Sequence, residues 1–224
     1  MFNLPVIDSY FEELARTIPL LPLQAANQLV RLFLGAYNRG HTIFLFGNGG
    51  SAALASHMAC DLGKGASPGS SKRLRVVALT DNVPLLTAWA NDTSYENVFA
   101  QQLENLVRPG DVVCAISASG NSPNVLAALQ LARSTRAITA GLTGFQGGMM
   151  KRLCDVCVVV PSNNMQIIED LHLSLAHAVF IAIREKIREA SQETVAASVA
   201  VSSGGRLPEI GDPRSASRAD EFSD

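Results

Sequence analysis

The stretch FLFGNGGSAALASHMACDLGKG, residues 44–65, decides the fold because it joins an apolar run to a glycine-rich turn and a helical pattern. The apolar run is unbroken, as in strands that are buried on both faces of a sheet. The turn GNGGS lets the backbone bend sharply, and the next helix offers unpaired N–H groups to an anion. His57 and Asp61 follow on one face of that helix. The stretch predicts a buried strand, a loop able to bind a ligand and a helix with two polar side chains.

The same unit recurs along the chain. The apolar runs RVVAL, DVVCAIS, AITAGLT and VCVVV each lead through a polar or glycine-rich loop into a helical pattern. This alternation predicts the α/β class, with a five-stranded parallel sheet, helices on both faces and right-handed crossovers. In such sheets ligands bind beyond the carboxyl ends of the strands. The loops that follow the strands are therefore the candidate site.

Segments of different character flank the sheet pattern. Helical spacing covers residues 5–39 in two pieces, which Pro22 separates and Gly40 ends. The last helix is predicted to end near Ala190. From about Ser191 the chain is rich in Ser, Ala, Gly and Pro, and this tail begins with a helix-compatible stretch and then loses its periodicity. We predict three segments, which are N-terminal helices over 1–40, the sheet domain over 41–190 and a mostly disordered tail over 191–224.

The composition narrows the class of protein. The chain has 224 residues, of which 47% are apolar, and a formal net charge of -2. This balance suits one globular domain with a tail, and the lack of a basic excess argues against direct nucleic-acid binding. The apolar runs are too short to span a bilayer, and the acidic N-terminus lacks the order of a signal peptide. We predict a cytoplasmic protein that binds neither nucleic acid nor membrane.

The four cysteines are predicted to be reduced and mostly buried. Cys154 and Cys157 form a CxxC, but a zinc site would need a second pair of ligands. A redox-active pair would stand at a helix N-terminus, whereas this pair leads into an apolar strand pattern.

A second loop, SASGNS at residues 117–122, follows the strand pattern DVVCAI. Ser122 precedes Pro123, which suits the first helical position, so Ser122 is predicted to cap the next helix. A cap does not explain Ser117 and Ser119, whereas a cradle of hydroxyl and N–H groups around a phosphate does. Few basic side chains are near this loop in the sequence. Its hydrogen-bond donors are therefore uncharged, which suits a small sugar phosphate. The first loop fits a tight turn when taken alone, and it lacks the nucleotide-binding patterns GxGxxG and GxxxxGK[ST].

The long last helix carries further polar candidates. Glu169 and His177 lie eight residues apart, which leaves them about two turns and ~80° apart. His172 points roughly the opposite way from His177. From the residues alone, an ion pair between His57 and Asp61, a solvated Glu169 and a core histidine are the simpler explanations.

The pairing of GNGGS with SASGNS, each between a strand and a helix, resembles the SIS (sugar isomerase) domain family over residues 5–190. TDN at 80–82, ANDTSYENVFAQQLE at 90–104, LTGFQGG and EDLHLSLAH add a resemblance to the sedoheptulose 7-phosphate isomerases of that family. Replication-initiator-associating SIS proteins share nearly all of these stretches but generally lack the acid and the last histidine. The resemblance implies a flavodoxin-like three-layer sandwich and a homotetramer in which the N-terminal helical pair takes part.

The resemblance also implies roles for individual residues. The isomerases place a metal site and the proton transfers on four positions, which here are His57, Asp61, Glu169 and His177. Asp61 replaces a Glu and Glu169 replaces a Gln, and the set still suits a divalent metal, with one zinc ion per subunit implied. Asp61 and His177 are the implied catalytic pair. The implied substrate-binding residues are Asn48, Gly49, Gly50, Asp61, Asn91, Asp92, Ser117, Ala118, Ser119, Ser122 and Glu169.

The function that this resemblance implies is an aldose–ketose isomerase. It would convert sedoheptulose 7-phosphate to glycero-manno-heptose 7-phosphate through an enediol, for bacterial surface glycans. The alternative is a non-enzymatic SIS adaptor that binds a partner such as the replication initiator. An enzyme of amino sugar phosphates ranks below both, because those usually have two SIS units or an attached catalytic domain, for which this chain is too short.

Overall fold

The computed structural model describes residues 5–67 and 72–203, with side chains through residue 193. Its sheet has five parallel strands, which are β1 (Thr42–Gly47), β2 (Arg75–Ala78), β3 (Val112–Ile116), β4 (Ile138–Thr143) and β5 (Val156–Val159). The strand order is β2-β1-β3-β4-β5. Phe44 of β1 pairs with Val77 of β2 and Val113 of β3. The predicted five-stranded parallel sheet is confirmed.

A helix follows every strand, and two more precede the sheet. The helices are α1 (Pro5–Thr17), α2 (Leu23–Arg39), α3 (Gly50–Cys60), α4 (Val83–Asp92), α5 (Ala100–Leu106), α6 (Pro123–Ser134), α7 (Met150–Leu153) and α8 (Met165–Ser203). A π-helical turn, Asp61–Gly65, continues α3. α2 ends at Gly40, whose φ of 74° lets its N–H reach the carbonyls of Ala36 and Tyr37.

Alternate residues of the strands face two different cores, which explains why the apolar runs are unbroken. Ile43 and Leu45 of β1 belong to the core that α2, α3 and α8 cover. Phe44 and Phe46 belong to the opposite core, which α5 and α6 cover. All positions of β1 and β3 are buried. Helices therefore pack on both faces of the sheet, as the sequence predicts.

The last helix is longer than predicted. The chain divides into two compact units, Met1–Arg188 and Glu189–Asp224. The first unit contains the sheet, and the described part of the second is the end of α8. α8 runs past the predicted end near Ala190, so residues 191–203 of the predicted tail are helical. The rest of that tail, residues 204–224, lies outside the described residues.

One stretch of α8, Met165–Glu193, has the length and composition of a helix that could cross a membrane. The short apolar runs considered in the sequence did not reveal it, because polar residues interrupt its apolar positions. Ile168, Leu171 and Val179 of this stretch are buried in the core beside the sheet. A core helix with one covered face has these same properties, so the stretch is explained by packing.

The cysteines are less buried than predicted. Cys114 in β3 is buried, Cys154 and Cys157 are partly buried, and Cys60 at the end of α3 is exposed. All four are free thiols. Burial raises the pKa of the Cys114 thiol to about 12, which keeps that group protonated at neutral pH. Cys157 lies within β5 rather than at a helix N-terminus, which agrees with the sequence pattern around the CxxC.

Candidate active site

The loops after β1 and β3 meet at the carboxyl edge of the sheet. The two strands are neighbours, and Gly47 at the end of β1 pairs with Ile116 at the end of β3. β2 lies on one side of β1 and β3 on the other, so the strand order reverses here. Open α/β sheets bind ligands at such a reversal. The two loops that the sequence singles out therefore flank one crevice.

A cavity of about 160 Å³ lies in this crevice. Ser51, Ile116 and Met165 contribute to its wall. Its polar lining is mostly uncharged, with hydroxyl and amide groups beside one carboxylate. The cavity brings together six of the predicted substrate-binding residues, which are Asn48, Ser117, Ala118, Ser119, Ser122 and Glu169.

The serine hydroxyls of the second loop converge. Ser117 Oγ lies 3.3 Å from Ser122 Oγ and 3.5 Å from Ser119 Oγ. Ser122 occupies the N-cap position of α6, but its side chain makes no capping hydrogen bond. The predicted N-cap position is therefore confirmed, but the hydroxyl lies against Ser117 and does not cap the helix. Hydroxyls that do not cap the helix can donate to phosphate oxygens at its N-terminus.

The glycine loop brings the start of α3 close to α8. Gly49 has a φ of 55°, and the carbonyl of Asn48 accepts hydrogen bonds from the N–H groups of Ser51 and Ala52. A Cβ atom added at Gly50 would lie 3.2 Å from Glu169 Oε2. Glycine at this position therefore lets the carboxylate of Glu169 approach the beginning of α3.

Three side chains that could hold a metal ion meet beyond the glycine loop. His57 Nε2 lies 2.9 Å from His177 Nε2 and 3.3 Å from Asp61 Oδ2. Asp61 begins the π-helical turn that continues α3, and α8 carries His177 to the same point. One donor atom from each residue lies within 4.8 Å of the other two. Two imidazole nitrogens and a carboxylate oxygen in this arrangement suit a divalent metal such as zinc.

Glu169 does not join this group of three residues. It lies two turns earlier on α8 and lines the cavity beside Ser51 and the serine loop. The structure thus gathers three of the four predicted metal ligands, and it places Glu169 in the wall of the cavity beside the serine loop.

A second cavity, of about 300 Å³, adjoins the first. Both have Ser51 and Glu169 in their walls. The second also reaches Gly50, His57 and Asp170. The first cavity reaches the serine loop, and the second reaches His57, the first histidine of the candidate metal site. The shared residues therefore bring the candidate phosphate-binding hydroxyls and the candidate acid–base groups to two neighbouring cavities.

Four predicted substrate-binding residues are not in the walls of these two cavities. One of them, Asp61, lies beside His57 instead. Asn91 and Asp92 end α4, where they are exposed and Asn91 Nδ2 donates to Asp92 Oδ1 over 2.9 Å. Gly49 is an exposed residue of the turn. Within the single chain, Gly49, Asn91 and Asp92 lie outside both cavities, and their role in substrate binding stays a prediction.

The structure also reveals contacts that the sequence did not indicate. Asn124 and Tyr95 hydrogen bond to the side chain of Asn48. Tyr10 of α1 donates to Asp170 Oδ2 over 2.5 Å, and this hydrogen bond raises the pKa of Tyr10 to about 12. All of these pairs are distant in sequence. No short-range spacing pattern could have indicated them.

His172 anchors α8 to the end of β4. It is buried, its Nε2 lies 3.1 Å from the carbonyl oxygen of Thr143, and its Nδ1 has no hydrogen-bond partner. Nε2 therefore carries the proton and donates it to that carbonyl. Burial lowers the pKa of His172 to about 4, although the hydrogen bond to Thr143 acts in the opposite direction. The imidazole is thus neutral in the folded protein.

This neutral histidine predicts a loss of stability in mild acid. In the unfolded chain the imidazole of His172 is protonated below its ordinary pKa of 6.5. In the folded chain it stays neutral until the pH falls to about 4. The free energy of unfolding should therefore fall between these pH values, by up to about 1.4 kcal/mol per pH unit. Urea unfolding from pH 7 to pH 4.5 would compare wild type with His172→Gln, which has no titrating ring. Parallel stability curves for the two proteins would contradict the prediction.

Comparison with known proteins places this geometry in a family. The SIS domain profile matches residues 9–144. The phosphoheptose isomerase of Pelobacter propionicus is 42% identical over 169 residues, which are 75% of this chain and 87% of that protein. The phosphoheptose isomerase of Paramagnetospirillum magneticum is 44% identical over 152 residues, covering 68% and 79%.

Solved structures agree with these relatives. The phosphoheptose isomerase GmhA of Neisseria gonorrhoeae superposes with a TM-score of 0.76 at 32% identity, over 81% of this chain and 98% of that one. A phosphoheptose isomerase of Francisella tularensis gives a TM-score of 0.77 at 29% identity, over 83% and 100%. The chain therefore belongs to the SIS-domain family, and within it to the phosphoheptose isomerase group.

Proposed function

We propose that this protein converts sedoheptulose 7-phosphate to glycero-manno-heptose 7-phosphate. Its relatives indicate a sugar-phosphate isomerase, and the proposal concerns the particular sugar and the residues that act on it. One observation carries it. The hydroxyl-lined cavity at Ser117, Ser119 and Ser122 shares wall residues with a second cavity that reaches His57. His57 in turn contacts Asp61 and His177.

The reaction needs a base, an acid and a grip on the distant phosphate. Removal of a proton from C1 gives a 1,2-enediol, and return of a proton to C2 gives the aldehyde, while a hydroxyl proton passes from O1 to O2. We propose that the carboxylate of Asp61 removes the proton from C1 and returns it to C2. His177 would open the sugar ring and transfer the proton between the oxygens. The serine hydroxyls and the N-terminus of α6 would hold the phosphate.

The same three residues fit a metal. His57, Asp61 and His177 offer two imidazoles and a carboxylate with donor atoms within 4.8 Å of one another, and zinc accepts such donors. A bound divalent ion would polarise the carbonyl oxygen and stabilise the enediolate charge. Glu169 would contact the sugar from α8 and add negative charge near the ion. The side chain of His57 is 46% exposed and that of Asp61 28%, so both remain open to a ligand.

Assembly and location complete the proposal. Val6, Ile7 and Phe11 of α1 are large apolar side chains that the single chain leaves exposed. Contact between copies would cover them, which supports a homotetramer with the helices of residues 1–40 in its interfaces. Gly49, Asn91 and Asp92 would then meet substrate only in the assembled protein. We place the enzyme in the cytoplasm, where a phosphorylated sugar is available, and assign it no nucleic-acid or membrane partner.

Turnover by the purified protein tests the proposal. Sedoheptulose 7-phosphate would be incubated with the enzyme as purified, after chelation, and after zinc is restored. We expect conversion that falls on chelation and returns with zinc, measured by chromatography of the two heptose phosphates. A folded protein that leaves the sugar unchanged under all three conditions would refute this function. That result would favour the SIS adaptor, which predicts partner binding without turnover.

A further inference from the structure

We infer that Asn124 and Tyr95 are positioning residues that hold the Asn48 amide so that it can only donate a hydrogen bond to the substrate. This inference rests on the proposed function, because it assumes that a sugar phosphate occupies the cavity beside Asn48. It adds two residues to the active site that neither loop pattern contains. It also fixes the chemistry of the substrate atom that Asn48 contacts, which is an oxygen that accepts.

Asn124 connects the serine loop to the glycine loop through its side chain. It is the second residue of α6, two positions after Ser122, and it is 2% exposed. Its amide pairs reciprocally with that of Asn48: Asn48 Nδ2 donates to Asn124 Oδ1 over 2.9 Å, and Asn124 Nδ2 donates to Asn48 Oδ1 over 2.8 Å. Asn124 is therefore too deeply buried to act on substrate itself. It acts by fixing Asn48, which lines the cavity.

A backbone N–H fixes the orientation of this amide pair. The N–H of Val125 donates to Asn124 Oδ1 over 3.0 Å, so the atom that it reaches must be the oxygen of that amide. The other terminal atom of Asn124 is then nitrogen, and the atom of Asn48 facing it must be oxygen. Turning either amide over would place two donors against each other. The Val125 N–H thus determines both side chains.

Counting hydrogen bonds leaves the side chain of Asn48 one free N–H. Its Oδ1 accepts from Asn124 Nδ2 and also from the hydroxyl of Tyr95, which lies 3.0 Å away. These two bonds use both lone pairs of the oxygen. Its Nδ2 uses one N–H on Asn124 and keeps the other. In the cavity that Asn48 shares with Ser117 and Ser119, the free N–H suits a phosphate or sugar oxygen that accepts.

Conservative substitutions test the inference by kinetics. Asn124→Asp keeps the shape of the side chain and the oxygen that accepts from Val125 N–H, but it cannot donate to Asn48. We expect KM for sedoheptulose 7-phosphate to rise about tenfold, which is the effect of one lost hydrogen bond. kcat should change less than about threefold, because this contact is made in the ground state and the transition state alike. Tyr95→Phe removes a hydroxyl from an exposed ring and should raise KM by about threefold. This variant still tests the inference if the buried aspartate of Asn124→Asp prevents folding.

A double-mutant cycle separates positioning from a general effect on structure. In an Asn48→Ala background, Asn124→Asp and Tyr95→Phe should produce no further rise in KM. Gln102→Glu is the matched control, because Gln102 is another buried amide, bonded to the carbonyls of Leu79 and Val98. It should lower stability without raising KM. Rises in KM that persist in the Asn48→Ala background would overturn the inference.

A failure of this inference can be distinguished from a failure of the proposed function. If wild type leaves sedoheptulose 7-phosphate unchanged, the proposed function fails alone. Crystal structures of Tyr95→Phe and Asn124→Asp then decide the positioning role. An Asn48 amide that turns or moves in these variants supports the inference, and one that keeps its place and orientation in both overturns it.

Discussion

Replacing Asp61 with asparagine is expected to lower kcat for sedoheptulose 7-phosphate by about a thousandfold, within the range that general acid–base groups supply. The amide keeps the size of the side chain and its place beside His57 but cannot accept a proton from carbon. It also weakens the cluster as a metal site, because a neutral amide replaces its one carboxylate. Initial rates and bound zinc, measured on the same samples, would distinguish loss of the base from loss of the metal.

Two variants calibrate this result. Glu104→Gln changes an exposed carboxylate of α5 and should leave kcat unchanged. Asp61→Glu restores the residue that the resemblance associates with this position and lengthens the side chain by one methylene. We expect Asp61→Glu to retain activity, since it keeps the carboxylate at a side chain that is only partly buried. An Asp61→Asn enzyme that keeps more than a tenth of the wild-type kcat would show that another group removes the proton.

The fold was predictable because its signals are local. Strands that serve two cores contain few polar interruptions, and Phe44 and Leu45, adjacent in sequence, do pack into opposite cores. The spacing of His57 and Asp61 was equally local, since one helical turn separates them. The alternation of strands and helices then indicated which edge of the sheet carries the loops.

The rest of the site depends on long-range contacts that spacing does not encode. The 2.9 Å contact between His57 and His177 joins residues on different helices, and sequence reasoning paired them only through a family resemblance. Asn124 gave no signal at all, because an asparagine in the first turn of a helix is ordinary. Sequence position identifies Ser122 as the N-cap of α6 but does not reveal that its hydroxyl makes no capping hydrogen bond.

Replacing Gly120 with alanine is expected to lower the free energy of unfolding by about 2–5 kcal/mol and to weaken substrate binding as well. Gly120 has a φ of 65°, a conformation that costs a residue with a Cβ atom about 1–2 kcal/mol. The added Cβ would also lie 2.3 Å from the carbonyl oxygen of Gly147, which is backbone and cannot rotate away. The loop must therefore move, and urea unfolding would measure the cost.

The loss of binding follows from where that movement occurs. Gly120 N–H donates to the carbonyl of Ser117, and its own carbonyl accepts from Met150 N–H, so a shift at residue 120 displaces the serine hydroxyls. We expect KM to rise at least tenfold in the folded fraction of Gly120→Ala. Gly40→Ala is the matched control, because Gly40 also has a positive φ, 74°, but nothing lies within 4 Å of an added Cβ. It should show the conformational cost alone, with an unchanged KM. Equal losses of stability in the two variants would contradict this prediction. They would mean that the contact with Gly147 is relieved without a movement of the serine loop.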